Sequence, residues 1–343
     1  MEKPALTPVS KLGEFGLIEH LTQSFPLSQS SSVKGVGDDA AVIDNKAFKT
    51  VVTTDMLVEG VHFDLSYVPL MHLGYKAVVV NLSDIFAMNA QPKQITVSMA
   101  LSSKFTVEAL DELYAGIRHA CNAYGVDLIG GDTTSSTSGL IISITAIGQG
   151  NDEQLTFRNG AKPGDLIVVS GDLGAAYLGL QLLEREKQVF LENPEAEPDF
   201  SDRQYLVRRF LKPEARKDVI ALFEEMNLKP TSMIDLSDGL SSDLMHICKQ
   251  SQTGAVIEEA QLPIADEAYH QALEFNMDPT TCMLNGGEDY ELLFTIHPDD
   301  ETKIAGSDLV TIIGQITNSA DGLVLHTKGG HRHPLKAQGW RHF

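Results

Sequence analysis

Cysteine is scarce in this chain. Only Cys121, Cys248 and Cys282 occur in 343 residues, far apart and with no CxxC pair. That excludes a disulfide scaffold and a cysteine-based zinc site, and it fits a reducing compartment. Positive charge is also short: 26 Lys and Arg stand against 47 Asp and Glu, a formal net charge of −21. Such a balance offers no basic footprint for nucleic-acid phosphates, so nucleic acid is excluded as the main partner. No stretch approaches the roughly 18 apolar residues of a membrane span. The opening MEKPALTPVSKLGEF lacks the apolar core of a signal peptide. The expected address is the cytoplasm, and without a secretion signal the glycosylation sequon at Asn81-Leu82-Ser83 is a chance match. Walker A, the protein-kinase loop set, heptads and internal repeats are all missing.

What is present is an ordinary globular composition, 43% hydrophobic and 21% charged, in a length that suggests about two domains. Apolar spacing predicts helices over 13–25, 72–88, Val107–Tyr124, 213–226, 241–251 and 269–275. Strand-like runs fall over 41–44, 92–101, 126–129, 140–148, 165–170, 232–236 and 291–296. The alternation lacks the regular βαβ rhythm of a doubly wound fold and reads as two α/β layers of mixed sheets. A polar stretch over 151–163, containing Arg158, Gly160 and Pro163, marks a boundary between residues 1–150 and 151–343. Residues 171–174, Gly-Asp-Leu-Gly, read as a helix cap rather than a phosphate turn.

Six segments share one shape: a short apolar run, a turn with Gly or Thr, then Asp or Glu. They are Asp38-Asp39, Thr53-Thr54-Asp55, Asp84, Gly131-Asp132, Asp235-Leu236-Ser237-Asp238 and Gly287-Glu288. In this reading a strand stops at Thr53-Thr54-Asp55 and another gives way to a turn at Gly130–Thr134. Gly35–Ala40 formally matches GxGxxA, but it precedes a strand instead of following one, so it is not a dinucleotide fingerprint. Each segment alone is an ordinary turn or capped helix. Asp84 is the exception in kind, because a carboxylate within an apolar helix must be paired or metal-bound. If the six converge they form an oxygen-rich cage suited to Mg²⁺ and phosphate. Several metal ions would then reconcile an acidic protein with a polyphosphate ligand, and metal-assisted phosphoryl transfer follows as the reaction class.

GEFGLI, VGDDAAV, TTDMLVEGVHF, KAVVVNLSDIFAMNAQP, LIGGDTT, IDLSDGLSSDL and GGEDYEL resemble the motifs of the thiamine-monophosphate kinases. The likeness runs from about residue 13 to the C-terminal Gly-Trp. NLSDIFAM and DLSDGL are shared with the wider superfamily of aminoimidazole-ribotide-synthetase-like ATP enzymes. The resemblance implies a two-domain α/β (α+β) fold of mixed sheets with helices packed on them, the N-terminal sheet pairing with that of a second subunit in a homodimer. It implies transfer from ATP to thiamine monophosphate, giving thiamine diphosphate directly and in line. By the same resemblance Asp39, Thr53, Thr54, Asp55, Asp84, Asp132, Asp235 and Asp238 would bind several Mg²⁺ ions. Tyr114, Gly131, Asp132, Arg158 and Ser237 would contact ATP, and His62, Glu288 and Trp340 the thiamine phosphate. Selenophosphate synthetase should carry a reactive Cys near its N-terminal glycine loop, and the hydrogenase-maturation carbamoyl dehydratase should end in Cys; this chain has neither. A non-catalytic nucleotide-binding module is the alternative from another class.

Overall fold

The structure is a computed structural model and describes residues 32–34, 37–44, 48–195 and 200–337. The helix expected over 13–25, residues 35–36 of the glycine turn and the tail bearing Trp340 lie outside the described residues.

Two mixed sheets organise the described chain. The first half runs β1 (Ser32–Lys34), β2 (Ala41–Asp44), β3 (Lys49–Val58), α1 (Leu70–Ala87), β4 (Gln91–Leu101), α2 (Val107–Tyr124), β5 (Asp127–Ser135) and β6 (Leu140–Gly150). Its six strands lie in the order β1-β2-β3-β6-β4-β5, antiparallel except for the β4–β5 pair. The second half runs β7 (Leu166–Ser170), α3 (Ala175–Glu192), α4 (Gln204–Leu211), α5 (Lys217–Glu225), β8 (Ser232–Asp235) and α6 (Leu240–Ser251). It continues with β9 (Thr253–Glu258), α7 (Asp266–Glu274), α8 (Pro279–Asn285), β10 (Leu292–Ile296), α9 (Glu301–Ile304), β11 (Val310–Asn318), β12 (Leu323–His326) and β13 (Arg332–Pro334). Its seven strands follow β13-β12-β9-β11-β7-β10-β8, and β9–β12 is the parallel pair.

Helix α1 is the piece that joins the halves. Its sequence is apolar almost all round, and 14 of its 18 residues are buried, as expected of a helix covered on every side. It crosses α2 at backbone contact. A Cβ on Gly74 would stand 2.0 Å from the Leu113 carbonyl oxygen, and one on Gly116 would stand 1.9 Å from that of Met71. Helix α2 has the predicted ends: Thr106 accepts a 3.3 Å hydrogen bond from the Ala109 N–H, and Gly125 closes the helix in the left-handed region.

Three local expectations are corrected. Strand β3 does not stop at Thr53-Thr54-Asp55 but runs on to Val58, because β6 pairs with it along its whole length, with Thr53 opposite Ala146 and Asp55 opposite Ile144. Residues 130–134 are not a turn but the middle of β5, where the bare Gly131 lies directly on the Val97 carbonyl. The helix expected over 213–226 is shorter, Lys217–Glu225, and a separate α4 precedes it, burying Leu206, Phe210 and Leu211.

Candidate active site

The site begins with the pleat of β3. Val51, Thr53 and Leu57 are buried on one face, and Asp55 is half-buried beside them. Thr54 and Met56 point to the opposite, exposed face. The Thr53 hydroxyl donates to Asp84 Oδ2 at 2.6 Å. The Asp55 N–H donates to Asn81 Oδ1 at 3.0 Å, and the Asn81 amide in turn donates to the Ala77 carbonyl at 3.1 Å. Thr54 instead donates to the Ile144 carbonyl at 3.0 Å and accepts from Thr145 at 3.1 Å. Successive threonines therefore serve different faces of the sheet.

Two loops close on this edge. In the turn before β2, Asp39 receives the Arg158 guanidinium through Nε at 2.8 Å and through a second, shorter contact to its other oxygen, the bidentate geometry of the strongest carboxylate pairs. Asp38 lies behind it, 3.3 Å from Lys34 and 3.6 Å from Arg158. At the end of β8, Asp235 is buried. The following turn is held by Asp243, whose carboxylate accepts from the N–H groups of Asp238 at 3.2 Å and Gly239 at 3.1 Å. The segment from Gly286 to Glu291 zips against that turn: Glu288 N–H donates to the Ser237 carbonyl at 2.8 Å, and Tyr290 N–H to that of Leu236 at 2.9 Å. Asp289 faces away and caps α3, accepting from Gly174 at 2.8 Å and Ala176 at 3.3 Å. The cap expected over 171–174 is thus supplied from another part of the chain.

Asp39, Asp84 and Asp235 each present an oxygen within 4.8 Å of the others. Burial, and then the charges of Asp55, Asp235 and Asp39, push the Asp84 carboxyl well above the usual carboxylate range. Asp235 is raised too, first by burial and then by Asp39. Crowded carboxylates in a dry setting need a cation to ionise together. The donors are hard oxygens, and the set fits Mg²⁺ rather than a softer ion. The trio opens on a cleft of about 1300 Å³. Asp55, Arg158, Ser237 and Asp238 line it with the trio, as do His62, Glu288, Tyr290, Glu184 and the aromatic Tyr67, Tyr177 and Phe210. His62 is set by its own turn, Nδ1 accepting from the Val58 N–H at 3.0 Å.

Of the residues singled out in the sequence, Asp39, Thr54, Asp55, His62, Asp84, Arg158, Asp235, Ser237, Asp238 and Glu288 all line the cleft. Thr53 stands behind Asp84. Gly131 and Asp132 do not line the cleft. Asp132 pairs across with Ser98, Ser98 with Ser143 and Ser143 with Met56, which places it roughly 14 Å from β3 at the usual strand spacing. Tyr114 packs against the core through α2. Trp340 lies outside the described residues. Sequence reasoning missed Lys76, Asp243 and Tyr290. The signal for Lys76 was a lysine inside the apolar run of α1.

Comparison with known proteins gives a consistent result. The family model for AIR synthase related protein, N-terminal domain, matches residues 37–149, and that for the C-terminal domain matches residues 162–326. The thiamine-monophosphate kinase of Aquifex aeolicus is 33% identical, with 98% of this chain and 99% of the relative covered. That of Escherichia coli strain K12 is 36% identical, with 96% and 98% covered. Among solved structures, AaThiL complexed with AMPPCP and TMP superposes with a TM-score of 0.84 at 32% identity, covering 98% of this chain and 99% of that one. The hydrogenase maturation protein HypE in complex with ATP shares the fold at a TM-score of 0.67, with 19% identity and coverage of 95% and 96%.

Proposed function

This chain belongs to the thiamine-monophosphate kinase family, within the AIR synthase related proteins, and on that premise we propose that it transfers the γ-phosphoryl group of ATP to thiamine monophosphate, giving ADP and thiamine diphosphate. The observation that carries the reading is the meeting of Asp39, Asp84 and Asp235 within 4.8 Å in the wall of a cleft of about 1300 Å³, room enough for two substrates. The acceptor is a phosphate oxygen that is already ionised near neutral pH, so no strong general base is required. Alignment and charge neutralisation carry the chemistry.

In this reading Asp39, Asp55, Asp84, Asp235 and Asp238 hold Mg²⁺, with Thr53 orienting Asp84 and Thr54, whose hydroxyl is bonded to the Ile144 carbonyl, at the cleft edge. Bound Mg²⁺ would bridge phosphate oxygens and offset their charge. Arg158 and Ser237 face the nucleotide. His62 and Glu288, with Trp340 from the tail, face the thiamine phosphate, whose cationic thiazolium favours carboxylates and aromatic faces.

Residues 1–150 form the nucleotide and dimerisation unit in this reading, and residues 151–343 complete the site. A homodimer is supported by exposed apolar side chains on the first sheet, Met56 on β3 and Leu128 and Ile129 on its edge strand β5, since exposed apolar groups of this size call for a cover. It is supported as well by Asp132, Gly131 and Tyr114, which stand off the cleft of their own chain, Asp132 and Gly131 on the exposed edge strand β5. A cytoplasmic address agrees with three buried, free cysteines; among the described residues no helix is long and apolar enough to cross a membrane. The test is incubation with ATP, Mg²⁺ and thiamine monophosphate. Stoichiometric ADP and thiamine diphosphate are expected; ATP binding without either product would leave only a binding module.

A further inference from the structure

Lys76 is 4% exposed, in the middle of the most buried helix of the described fold. Its ammonium donates to the Phe210 carbonyl at 3.1 Å and to Glu288 Oε2 at 3.2 Å, and it lies 4.0 Å from the centre of the Phe210 ring. It does not line the cleft, whereas Glu288 and Phe210 both do. Among the described residues, Lys76 is the one ion-pair partner of Glu288. An ammonium in such a place is tolerated only when paired, so the two charges hold each other in register.

The backbone adds a second observation. Glu288 has φ +57°, in the left-handed region that a non-glycine residue occupies only where its surroundings compel it. Its N–H is fixed to the Ser237 carbonyl at 2.8 Å. Main chain and side chain are therefore both tied, the first to the loop bearing Ser237 and Asp238, the second to α1.

Helix geometry supplies the third. Lys76, Val80 and Asp84 recur at four-residue intervals on α1, and Val80 and Asp84 line the cleft. One helix stripe thus presents a carboxylate to the acidic cluster and, roughly 12 Å away along the axis, a lysine to Glu288.

We propose that Lys76 is a positioning residue: from behind the cleft wall it fixes the Glu288 carboxylate toward the cationic ring of the thiamine substrate, and α1 sets the spacing between that grip and the metal-binding end. This rests on the kinase reading above, which supplies the cationic substrate. Lys76 acts through Glu288 and has no contact of its own with either substrate.

A double-mutant cycle tests it, using Lys76→Met, Glu288→Gln and the pair together, with KM for both substrates, kcat and thermal melting. Losing one oriented charge-assisted contact raises the KM for thiamine monophosphate by about tenfold in Lys76→Met, while the KM for ATP stays within about twofold and kcat falls less than the thiamine KM rises. Lys76→Met adds nothing further in the Glu288→Gln background. If Lys76→Met alone fails to fold, the doubly substituted protein, which leaves no buried charge unpaired, carries the test and shows the weakened thiamine binding of Glu288→Gln by calorimetry. The proposal is overturned if Lys76→Met leaves thiamine binding unchanged, if its effect is undiminished without the Glu288 carboxylate, or if the double variant binds like wild type. If wild-type protein forms no thiamine diphosphate, the kinase reading itself fails and takes this inference with it; wild-type turnover with an unaffected Lys76→Met sinks the inference alone.

Discussion

Thr53 and Asp84 are joined by a 2.6 Å hydrogen bond from hydroxyl to carboxylate across 31 residues of sequence. The bond ties the long strand β3 to the buried helix α1 at the point where the acidic cluster forms. It spends one lone pair of Asp84 on orientation and leaves the rest of the carboxylate for the cleft.

Removing that donor without changing volume isolates its contribution. Thr53→Val is expected to cost about 1 kcal/mol of stability and to raise the Mg²⁺ concentration for half-maximal activity several-fold, by freeing the carboxylate to rotate. Chemical denaturation and a Mg²⁺ titration of the rate check both effects. Unchanged Mg²⁺ dependence would mean that the bond is structural only.

Asp84→Asn should separate stability from activity. The Asp84 carboxyl is raised well above its ordinary value by burial and by the neighbouring Asp55, Asp235 and Asp39. A raised folded pKa means that the stabilising protonated form is fully present below the unfolded value of 3.8 and is lost as pH rises through the folded pKa. At pH 8 and without metal, the neutral amide should therefore stabilise the protein. Turnover should fall about 100-fold or more. A melting curve in chelator beside a rate assay in Mg²⁺ reads the two signs.

His246 gives a pH prediction beside the Arg158 that pairs with Asp39. Burial, with Arg158 and Lys249 nearby, pushes its pKa down to about 4 from 6.5. Between those values the unfolded chain binds the proton and the folded chain does not, so stability falls as pH drops from 6.5 toward 4. His246→Gln should flatten that part of the stability–pH curve by about 1–3 kcal/mol relative to wild type. Parallel curves for the two proteins would contradict the assignment.

Much of the architecture was legible in the sequence, and the remainder was not for identifiable reasons. The apolar period of α1 and the Thr106 cap of α2 are local signals, and both helices stand where the spacing put them. The ends of β3 and β5 were misread because pairing with β6 and β4 overrides the turn propensity of Thr-Thr-Asp and Gly-Gly-Asp. Helix α4 is only eight residues long, too short for a period to declare itself. Local sequence could state the convergence of the carboxylates only as a condition, since the contact between Asp39 and Arg158 spans 119 residues. The opposite facing of Thr53 and Thr54 follows from the strand pleat once β3 is known to continue.

The crossing of α1 and α2 bears on everything α1 carries. A methyl group at Gly116 would meet the Met71 carbonyl oxygen at 1.9 Å, and backbone cannot yield as a side chain tip can. Gly116→Ala should force the helices apart and cost several kcal/mol, about 3 or more, with activity lost as Lys76 and Asp84 shift together. Gly125→Ala offers a contrast: nothing lies within 4 Å of the added carbon, and only its φ of +68° is penalised, so a loss of about 1 kcal/mol is expected. Thermal denaturation of the two variants ranks them.

The most direct test of the central claim is a crystal structure with Mn²⁺ and a non-hydrolysable ATP analogue, read by anomalous scattering. Metal peaks about 2.0–2.2 Å from the oxygens of Asp39, Asp84 and Asp235, bridging to the nucleotide phosphates, are predicted. Nucleotide bound in the cleft with no metal against those three carboxylates, or metal bound only elsewhere on the surface, would contradict the account.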